Sequence, residues 1–504
     1  MEFIAANHKN RMKILTFKET GGIRRIGARH RALGIFAWPA VLLFNGMGLH
    51  AAPPSSADAG IKLAVPWKQA RVTRMVPTVA SGREVKGQDL ARLFPCTTLE
   101  AVDGAVTFPI GSVPVVIESA KSAISPNAFT GLSGGSPLGI HGFETDLPES
   151  LAHLQDIGIP WVRLAGPSGL VWDLVEPTAG AYNWEHQDRL FGEFKKMGVK
   201  ICVVVLAANR WDQGIVGAQR PKSRRPTHMG SYKSFLREAV KRYASTVACW
   251  QIENEVDNKM SWDDTPSAYL DLLATSYAVI KENAPNAQVA FAGMSNPHAC
   301  ETVLFPMLKA YRNENPEGTC FDIIDLHWSR QFQGTYDRLQ IGGKPRRLDD
   351  TIRGIRKQLD ALSLQKTKIW LNEISDYAGA PAADPVDGSY AKKSEAEQAT
   401  SLVKMVLLSL ASGADRTFWV NMIDWHGWGG RQGGYFDNVG LVYNPMVDPK
   451  GTKKTVYYSA KFLSHMLDGC RFESAVPVSG NPGVRVYMFL RNGEPVYFGW
   501  RDPG

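Results

Sequence analysis

The sequence predicts an α/β fold: a closed (β/α)8 barrel, accompanied by a small antiparallel β-module. From residue 135 onward, apolar strand-like runs alternate with amphipathic segments, and there are eight of each. Such alternation favours a parallel sheet covered by helices, and eight pairs over about 330 residues suit one TIM barrel with loop insertions. At both chain ends the pattern changes to alternating apolar and polar residues, which is typical of antiparallel strands.

The first element in chain order is a leader, residues 1–52. A basic stretch through Arg31 precedes an apolar run over 32–44, and small residues follow as far as Ala52. This layout predicts a secretory signal peptide cleaved near Ala51, and therefore a secreted or periplasmic protein. A retained membrane anchor is the alternative, although the apolar run is shorter than the ~20 residues that a spanning helix needs.

Charge and cysteine content exclude several kinds of partner. The net charge is +8, but residues 1–52 hold eight Lys/Arg and two Glu, so the rest of the chain carries 8 − 6 = +2. A nearly neutral body gives no reason to expect nucleic acid. The six cysteines are scattered without zinc-type spacing, so we predict no metal and no cofactor, with Cys300 and Cys320 as the best disulfide candidates.

The domain prediction follows from these changes of pattern. We expect four consecutive regions, at 53–70, 71–134, 135–468 and 469–504; the first is a flexible Pro/Ala/Ser/Gly-rich linker and the third is the barrel. The second and fourth are β segments that pack together. In the last one, Asn492-Gly493 between two alternating runs is a strong hairpin signal.

Each barrel element is assigned from hydrophobic periodicity. The predicted strands are 138–143, 160–164, 199–206, 247–254, 288–294, 321–327, 367–372 and 415–422. The predicted helices are 148–157, 185–197, 231–244, 266–282, 300–312, 349–362, 392–411 and 455–467.

Two glutamates close short apolar runs that read as barrel strands four and seven. Glu255 ends Val-Ala-Cys-Trp-Gln-Ile-Glu-Asn-Glu, and Glu373 ends Thr-Lys-Ile-Trp-Leu-Asn-Glu. Barrels of this type place their chemistry at the carboxyl ends of the strands, so both side chains are expected at one opening. Two carboxyl groups facing one gap are the minimal equipment for cleaving a glycosidic bond. Glu253 in the same strand competes with Glu255, and a single glutamate at a strand end is more often a solvated or ion-paired surface residue.

These motifs resemble those of clan A glycoside hydrolases, with family 39 preferred and families 5 and 42 as possible relatives. The Asn-Glu pair falls at the end of strand four and the second Glu at the end of strand seven, as in that clan. The stretch 176–190 also resembles the corresponding loop of families 39 and 42. One departure is Val256-Asp257, which stands where many relatives have Glu-Pro.

The resemblance implies roles for individual residues. Glu255 would be the general acid/base and Glu373 the nucleophile of a retaining mechanism, with their carboxyls about 5–5.5 Å apart. Arg163 would steady the nucleophile and His327 contact it, although each also reads as an ordinary buried residue. Asn254 would bind the sugar 2-hydroxyl.

The predicted loops at the barrel mouth are rich in aromatic and basic residues. Aromatic rings pack on sugar faces, and the candidates are Trp172, Trp211, Trp328, Tyr377, Trp425, Trp428 and Tyr435. Of these, Trp211, Trp328, Tyr377 and Trp425 complete the predicted substrate-binding set. The basic residues are Arg210, Arg220, Lys222, Arg224, Arg225, Arg330, Arg338, Lys344, Arg346 and Arg347, which makes an anionic polysaccharide a candidate substrate.

The leading functional hypothesis is a retaining glycoside hydrolase acting on a polysaccharide or oligosaccharide. Two alternatives stay open: a carbohydrate-binding barrel without catalysis, and a component of an envelope exopolysaccharide apparatus.

Overall fold

The computed structural model describes residues 60–78, 89–142, 148–217, 219–384, 388–427 and 432–502. Eight parallel strands form a closed barrel, because each pairs with the next and strand eight pairs with strand one. This confirms the predicted fold class. In chain order the barrel strands are Leu138–His141, Trp161–Leu164, Lys200–Leu206, Val247–Ile252, Gln288–Ala290, Ile323–Ser329, Lys368–Ser375 and Arg416–Val420.

In the described part of the chain, eight long helices surround the barrel, one after each strand. They are Pro148–Ile157, Glu185–Met197, Met229–Tyr243, Pro266–Asn283, Phe305–Glu314, Leu348–Ala361, Glu395–Ala411 and Thr455–Met466. Shorter helical turns are Leu90–Leu93, Pro126–Ala128, Gly166–Ser168, Trp172–Val175, Pro297–Ala299, Cys300–Leu304 and Tyr435–Asn438, and Leu170–Val171 adds a short strand beside barrel strand three. The predicted helices therefore all occur, with ends that differ by a few residues.

The antiparallel module is built from both chain ends, as predicted. Its six strands lie in the order Cys470–Ala475, Val484–Arg491, Glu494–Arg501, Val115–Ser119, Gln69–Arg74 and Cys96–Glu100. Asn492 and Gly493 have φ of 52° and 86° and connect two strands in register, which is the two-residue hairpin expected from that dipeptide.

The predicted linker is partly wrong. Gly60–Ala64, inside the segment 53–70, is a strand that pairs with Ala105–Pro109, because Ile61 and Leu63 alternate inward to a small apolar core. Residues 53–59 and the leader lie outside the described residues. A three-stranded sheet, Gly334–Thr335, Arg338–Ile341 and Lys344–Arg347, follows barrel strand six.

One end of the barrel is closed by an apolar layer. Trp161, Trp370 and Phe418 meet near the amino ends of their strands, and the guanidinium of Arg416 lies 4.2 Å from the Trp161 ring. This layer seals the amino end, so polar inward-facing side chains are concentrated at the carboxyl end.

The predicted disulfide is also absent. Cys300 and Cys320 are both buried free thiols, and each behaves as a small core residue. None of the helices in the described part of the chain has the length and apolarity needed to span a bilayer.

Candidate active site

The two predicted glutamates meet at the carboxyl end of the barrel. Barrel strand four ends at Ile252, and Glu255 lies three residues beyond it in a turn where both Glu253 and Glu255 have positive φ. Strand seven continues to Ser375, so Glu373 lies within the strand rather than after it. A carboxylate oxygen of Glu255 lies within 4.8 Å of one of Glu373. The side chains are 23% and 18% exposed, so both remain reachable from solvent.

Arg163 lies beneath the two glutamates in the barrel interior and connects the site residues through hydrogen bonds. Its side chain is fully buried, and its Nη1 donates to Glu373 Oε1 at 2.7 Å. Nη2 donates to Asn254 Oδ1 at 2.6 Å, and Nε donates to Gln251 Oε1 at 2.9 Å. One planar guanidinium therefore fixes strand seven against the end of strand four. Because it is inaccessible, Arg163 is placed to steady Glu373, as the resemblance implies, and does not contact substrate as a member of the predicted substrate-binding set.

Glu373 is held as a carboxylate. Burial alone would favour its neutral form, but the positive charges of His327 and Arg163 outweigh burial and lower the pKa of Glu373 to about 2. This side chain is consequently ionised throughout the neutral range, as a nucleophile needs to be.

His327 lies between the two carboxylates. Its Nδ1 is 2.9 Å from Glu255 Oε1 and 3.7 Å from Glu373 Oε2, and its Nε2 is 3.4 Å from Asp325 Oδ2. Burial would lower the pKa of His327, but these acids, Glu373 first, raise it to about 10. The ring is therefore an imidazolium that donates to Glu255. It is nearly inaccessible, so it acts on the glutamates instead of forming part of the substrate surface.

His141 is a site residue that sequence reasoning missed. It ends barrel strand one, with Nδ1 3.0 Å from Arg163 Nη1 and Nε2 3.3 Å from Glu373 Oε1. Burial lowers its pKa to about 3, so the ring is neutral. Nδ1 then accepts from Arg163, which assigns the ring proton to Nε2, facing Glu373. The sequence feature that could have identified His141 is its position near the end of a predicted barrel strand.

A polar layer beneath the glutamates was also missed. Asn372 Nδ2 donates to Gln251 Oε1 at 3.1 Å, and the Asn372 backbone N–H donates to Asp325 Oδ1 at 2.8 Å. Gly293 makes room for this layer, since a Cβ there would lie 2.2 Å from His327 Nε2. In the sequence these residues stand in apolar strands, which hid their inward polar role.

Glu253, the competitor for the acid role, contacts the loop after strand three and not Glu373. It is fully buried, and its Oε1 accepts from the Ala207 backbone N–H at 2.7 Å. Burial raises the pKa of Glu253 to about 7, against the opposing hydrogen bonds from Ala207 and Ser223. Its side chain thus anchors the loop after strand three and leaves Glu255 as the partner of Glu373.

Two of the predicted aromatic residues remain partly accessible. Trp425 packs on Phe436, with ring centroids 5.2 Å apart, and its Cζ2 lies 3.3 Å from where Gly142 would carry a Cβ. Gly142 follows His141, so Trp425 borders the site. Trp211 is half-buried, with its indole N–H donated to Glu176 O, in the loop after strand three.

Other aromatic predictions are wrong in this structure. Trp328 is fully buried because strand alternation turns it outward from the barrel, and its indole N–H donates to Tyr336 O at 3.0 Å. Tyr377 is also buried, with its hydroxyl donated to Ala391 O at 2.8 Å. Trp172 and Tyr435 are likewise core residues, and Trp428 lies outside the described residues.

Most of the basic loop residues whose contacts are defined pair with acids. The ion pairs are Arg210–Asp173, Lys222–Asp263, Arg225–Asp271, Arg346–Glu301 and Arg347–Asp349. Such pairs offset the positive charge of the loops, so the count of basic residues overstates the attraction for an anionic ligand.

The two glutamates and His327 also have the donor atoms of a cation site. Among the described residues, Glu255, His327 and Glu373 form the one group of acids and histidines close enough to share a metal ion. The protonated His327 offers N–H donors and no free lone pair there. The donor set therefore suits proton transfer better than metal binding.

Comparison with known proteins identifies the fold. No protein-family model matches the chain, and no curated protein sequence matches it. A family 39 glycoside hydrolase from the gut symbiont Bacteroides cellulosilyticus WH2 superposes with a TM-score of 0.59 at 17% identity, covering 89% of this chain and 88% of that chain. A GH39 β-xylosidase from Caulobacter crescentus superposes with a TM-score of 0.48 at 15% identity, covering 71% and 78%. At these identities the match to the first structure shows that the chain has the fold of clan A glycoside hydrolases.

Proposed function

We propose that this protein is a retaining glycoside hydrolase in which Glu373 is the nucleophile and Glu255 the general acid/base. The observation that carries the proposal is the approach of the two carboxylates to within 4.8 Å at the barrel mouth. Retaining enzymes need a separation of roughly 5–5.5 Å, whereas inverting enzymes leave roughly 6.5–9.5 Å for a water molecule.

The environment of Glu373 supports the role of nucleophile, which leaves Glu255 as the proton donor. Glu373 is kept ionised by Arg163 and His327 and attacks the anomeric carbon as the glycosidic C–O bond breaks. Glu255 donates its proton to the leaving oxygen. Because His327 occupies Glu255 Oε1, Oε2 is the oxygen that carries this proton. In the second step Glu255 takes a proton from water, which attacks the same carbon and releases Glu373.

Asn254 is the best candidate for binding the sugar directly. Arg163 occupies its Oδ1, which orients the amide and leaves the Nδ2 group as a donor for a substrate hydroxyl. Trp425, half-buried beside Gly142, offers an apolar surface for a sugar ring.

Leaving-group dependence tests the two roles separately. Glu373→Gln removes the attacking group, so we expect kcat/KM to fall at least roughly 1,000-fold for every aryl glycoside that the wild type cleaves. Glu255→Gln should lower it roughly 100- to 10,000-fold for poor leaving groups and far less for activated ones, which need no proton. Glu253→Gln is the matched control and should stay within a few-fold of wild type.

A carbohydrate-binding barrel without catalysis would bind glycans but cleave no member of such a panel. Equal losses for Glu253→Gln and Glu255→Gln would contradict the assignment of the acid.

We also propose export, on the strength of the leader at residues 1–52. The mass of the mature protein from its native host tests this proposal. A start near Ala51 is expected, and an intact leader would favour the envelope-anchored alternative.

A further inference from the structure

Outward from the catalytic pair, the ends of barrel strands six and seven carry a second charged cluster. Asp376 Oδ1 accepts from Lys393 Nζ at 2.6 Å, and Arg330 Nε lies 3.8 Å from the same oxygen. The formal charges of Arg330, Lys393 and Asp376 sum to +1 + 1 − 1 = +1. The side chains of the two basic residues are 10% and 14% exposed, and Asp376 is fully buried.

Two polar atoms of the cluster have no hydrogen-bond partner among the described residues. Arg330 Nε is buried without a hydrogen-bond partner, and so is Asp376 Oδ2. Burial, the largest effect, lowers the pKa of Lys393 in spite of Asp376. The next acid, Glu397, is engaged in capping the helix Glu395–Ala411 through Ser394. The three side chains carry one more positive than negative charge in a largely buried place, which is costly and suits the cluster to receive an anion.

The cluster lies further out along the same strands as the glutamates. His327 pairs with Glu373, and Ser329 pairs with Ser375, one step nearer the mouth. Arg330 and Asp376 come next, three residues beyond His327 and Glu373, which is roughly 10 Å nearer the mouth along the strands. An odd step turns their side chains toward Lys393 and the start of the helix Glu395–Ala411, so the cluster lies at the rim of the mouth, where a glycan chain leaving the cleft on this side would pass.

The surroundings are aromatic and fixed in place. Lys393 Nζ lies 4.5 Å from the Tyr377 ring, and the rings of Tyr377, Tyr390 and Tyr435 pack edge to face or tilted at 5.5–5.7 Å. The backbone of Lys393 pairs with Gly379 in both directions. The cations are thus held in position before any ligand arrives, which reduces the entropy lost on binding.

We propose that Arg330 and Lys393 bind the carboxylate of a uronic acid unit, a sugar position away from the bond that is cleaved. A guanidinium recognises a carboxylate through paired hydrogen bonds, and the bound anion would bring the cluster to neutrality. This inference rests on the proposed function for its choice of a glycan as the ligand.

Binding by the full chain tests the proposal independently of catalysis. The probes are polygalacturonate, alginate, hyaluronan and glucuronoxylan, each paired with its carboxyl-reduced form, in which the acid has become a primary alcohol. We expect at least one acidic polymer to bind roughly 10- to 100-fold more tightly than its reduced form at low salt. Arg330→Gln should abolish that difference, and Arg330→Lys should restore part of it.

Arg225→Gln is the matched control, since it removes an exposed, ion-paired arginine from a neighbouring loop and should leave the preference unchanged. Glu373→Gln should keep the preference while losing hydrolysis, so failure of the catalytic proposal would leave this result intact. Equal binding of all acidic and reduced polymers, or an equal effect of the Arg225 and Arg330 substitutions in folded protein, would overturn the inference.

Discussion

At the scale of single residues, the charge of His327 helps to set the protonation state of Glu373, the proposed nucleophile. The imidazolium lies 3.7 Å from Glu373 and 2.9 Å from Glu255, and both contacts are largely shielded from water. A cation at this distance favours the ionised form of a carboxylic acid. The histidine can therefore be tested through the pH dependence of the reaction.

His327→Gln removes this charge, so the pKa of Glu373 should rise by roughly 1–3 units. The acidic limb of kcat/KM against pH should move upward accordingly. In the wild type, the raised pKa of His327 contributes stability that is complete below pH 6.5 and lost as pH rises through about 10. The melting temperature of the variant should therefore lack the decrease that His327 causes in the wild type as pH rises through about 10. An unchanged acidic limb would show that the histidine is only structural.

The pKa of Glu373 is lowered, whereas that of Glu253 is raised. Its folded-state pKa of about 7 exceeds the ordinary 4.5, so the folded protein loses stability as pH rises from 4.5 through 7. Glu253→Gln keeps an acceptor for the Ala207 N–H but cannot ionise. Its stability relative to wild type should increase by about 3 kcal/mol between pH 4.5 and pH 8. Thermal melts at both pH values check this, and a difference independent of pH would contradict the buried placement.

At the scale of elements, the site depends on a missing side chain in the segment after barrel strand five. A Cβ on Gly293 would lie 2.2 Å from His327 Nε2 and 2.6 Å from Asp325 Oδ2. Gly293→Ala should therefore displace the imidazole, lower kcat at least roughly tenfold, and shift the acidic limb in the direction of His327→Gln.

Gly192→Ala is the matched control for that substitution. It lies in the helix Glu185–Met197, and nothing is within 4 Å of its added Cβ. Because alanine favours helix over glycine, this variant should gain roughly 0.5–1 kcal/mol without changing activity. If both alanine substitutions changed the pH profile similarly, the claim that a Cβ at Gly293 displaces His327 would be contradicted.

Periodicity identified the elements but not the contacts between them. The alternation of apolar runs with amphipathic segments was enough for the barrel, its eight helices and the positions of Glu255 and Glu373. It could not predict that His141, Gln251 and Asn372 belong to the site, because their hydrogen bonds depend on which strands lie opposite one another in a closed barrel. Trp328 was misplaced since one step along a strand reverses the side chain.

At the scale of the whole molecule, the two chain ends are joined by a buried ion pair network. Glu118 is 1% exposed and bonds Arg71 at 2.8 Å and Arg491 at 2.9 Å, so it connects an early strand to a late one. Because strands from residues 69–119 and 470–501 share one sheet, the β-module depends on both of these segments. No local pattern in the sequence could show which arginines would share this glutamate.

Glu118→Gln leaves both arginines without their counter-charge and should cost about 3–5 kcal/mol. Denaturant unfolding followed by fluorescence measures the change. Glu473→Gln removes an exposed partner of Arg471 and should cost less than about 1 kcal/mol. Equal costs would mean that the buried network does not join the chain ends energetically.

The assignment of Glu373 and Glu255 can be tested on the intact protein by trapping the covalent intermediate. The protein would be incubated with a panel of activated 2-deoxy-2-fluoro glycosides, digested, and analysed by mass spectrometry. We expect one glycosyl group per chain, attached to Glu373, with faster release from the wild type than from Glu255→Gln. A stable adduct on Glu255 or Glu253, or turnover of these glycosides with inverted products and no adduct, would contradict the mechanism.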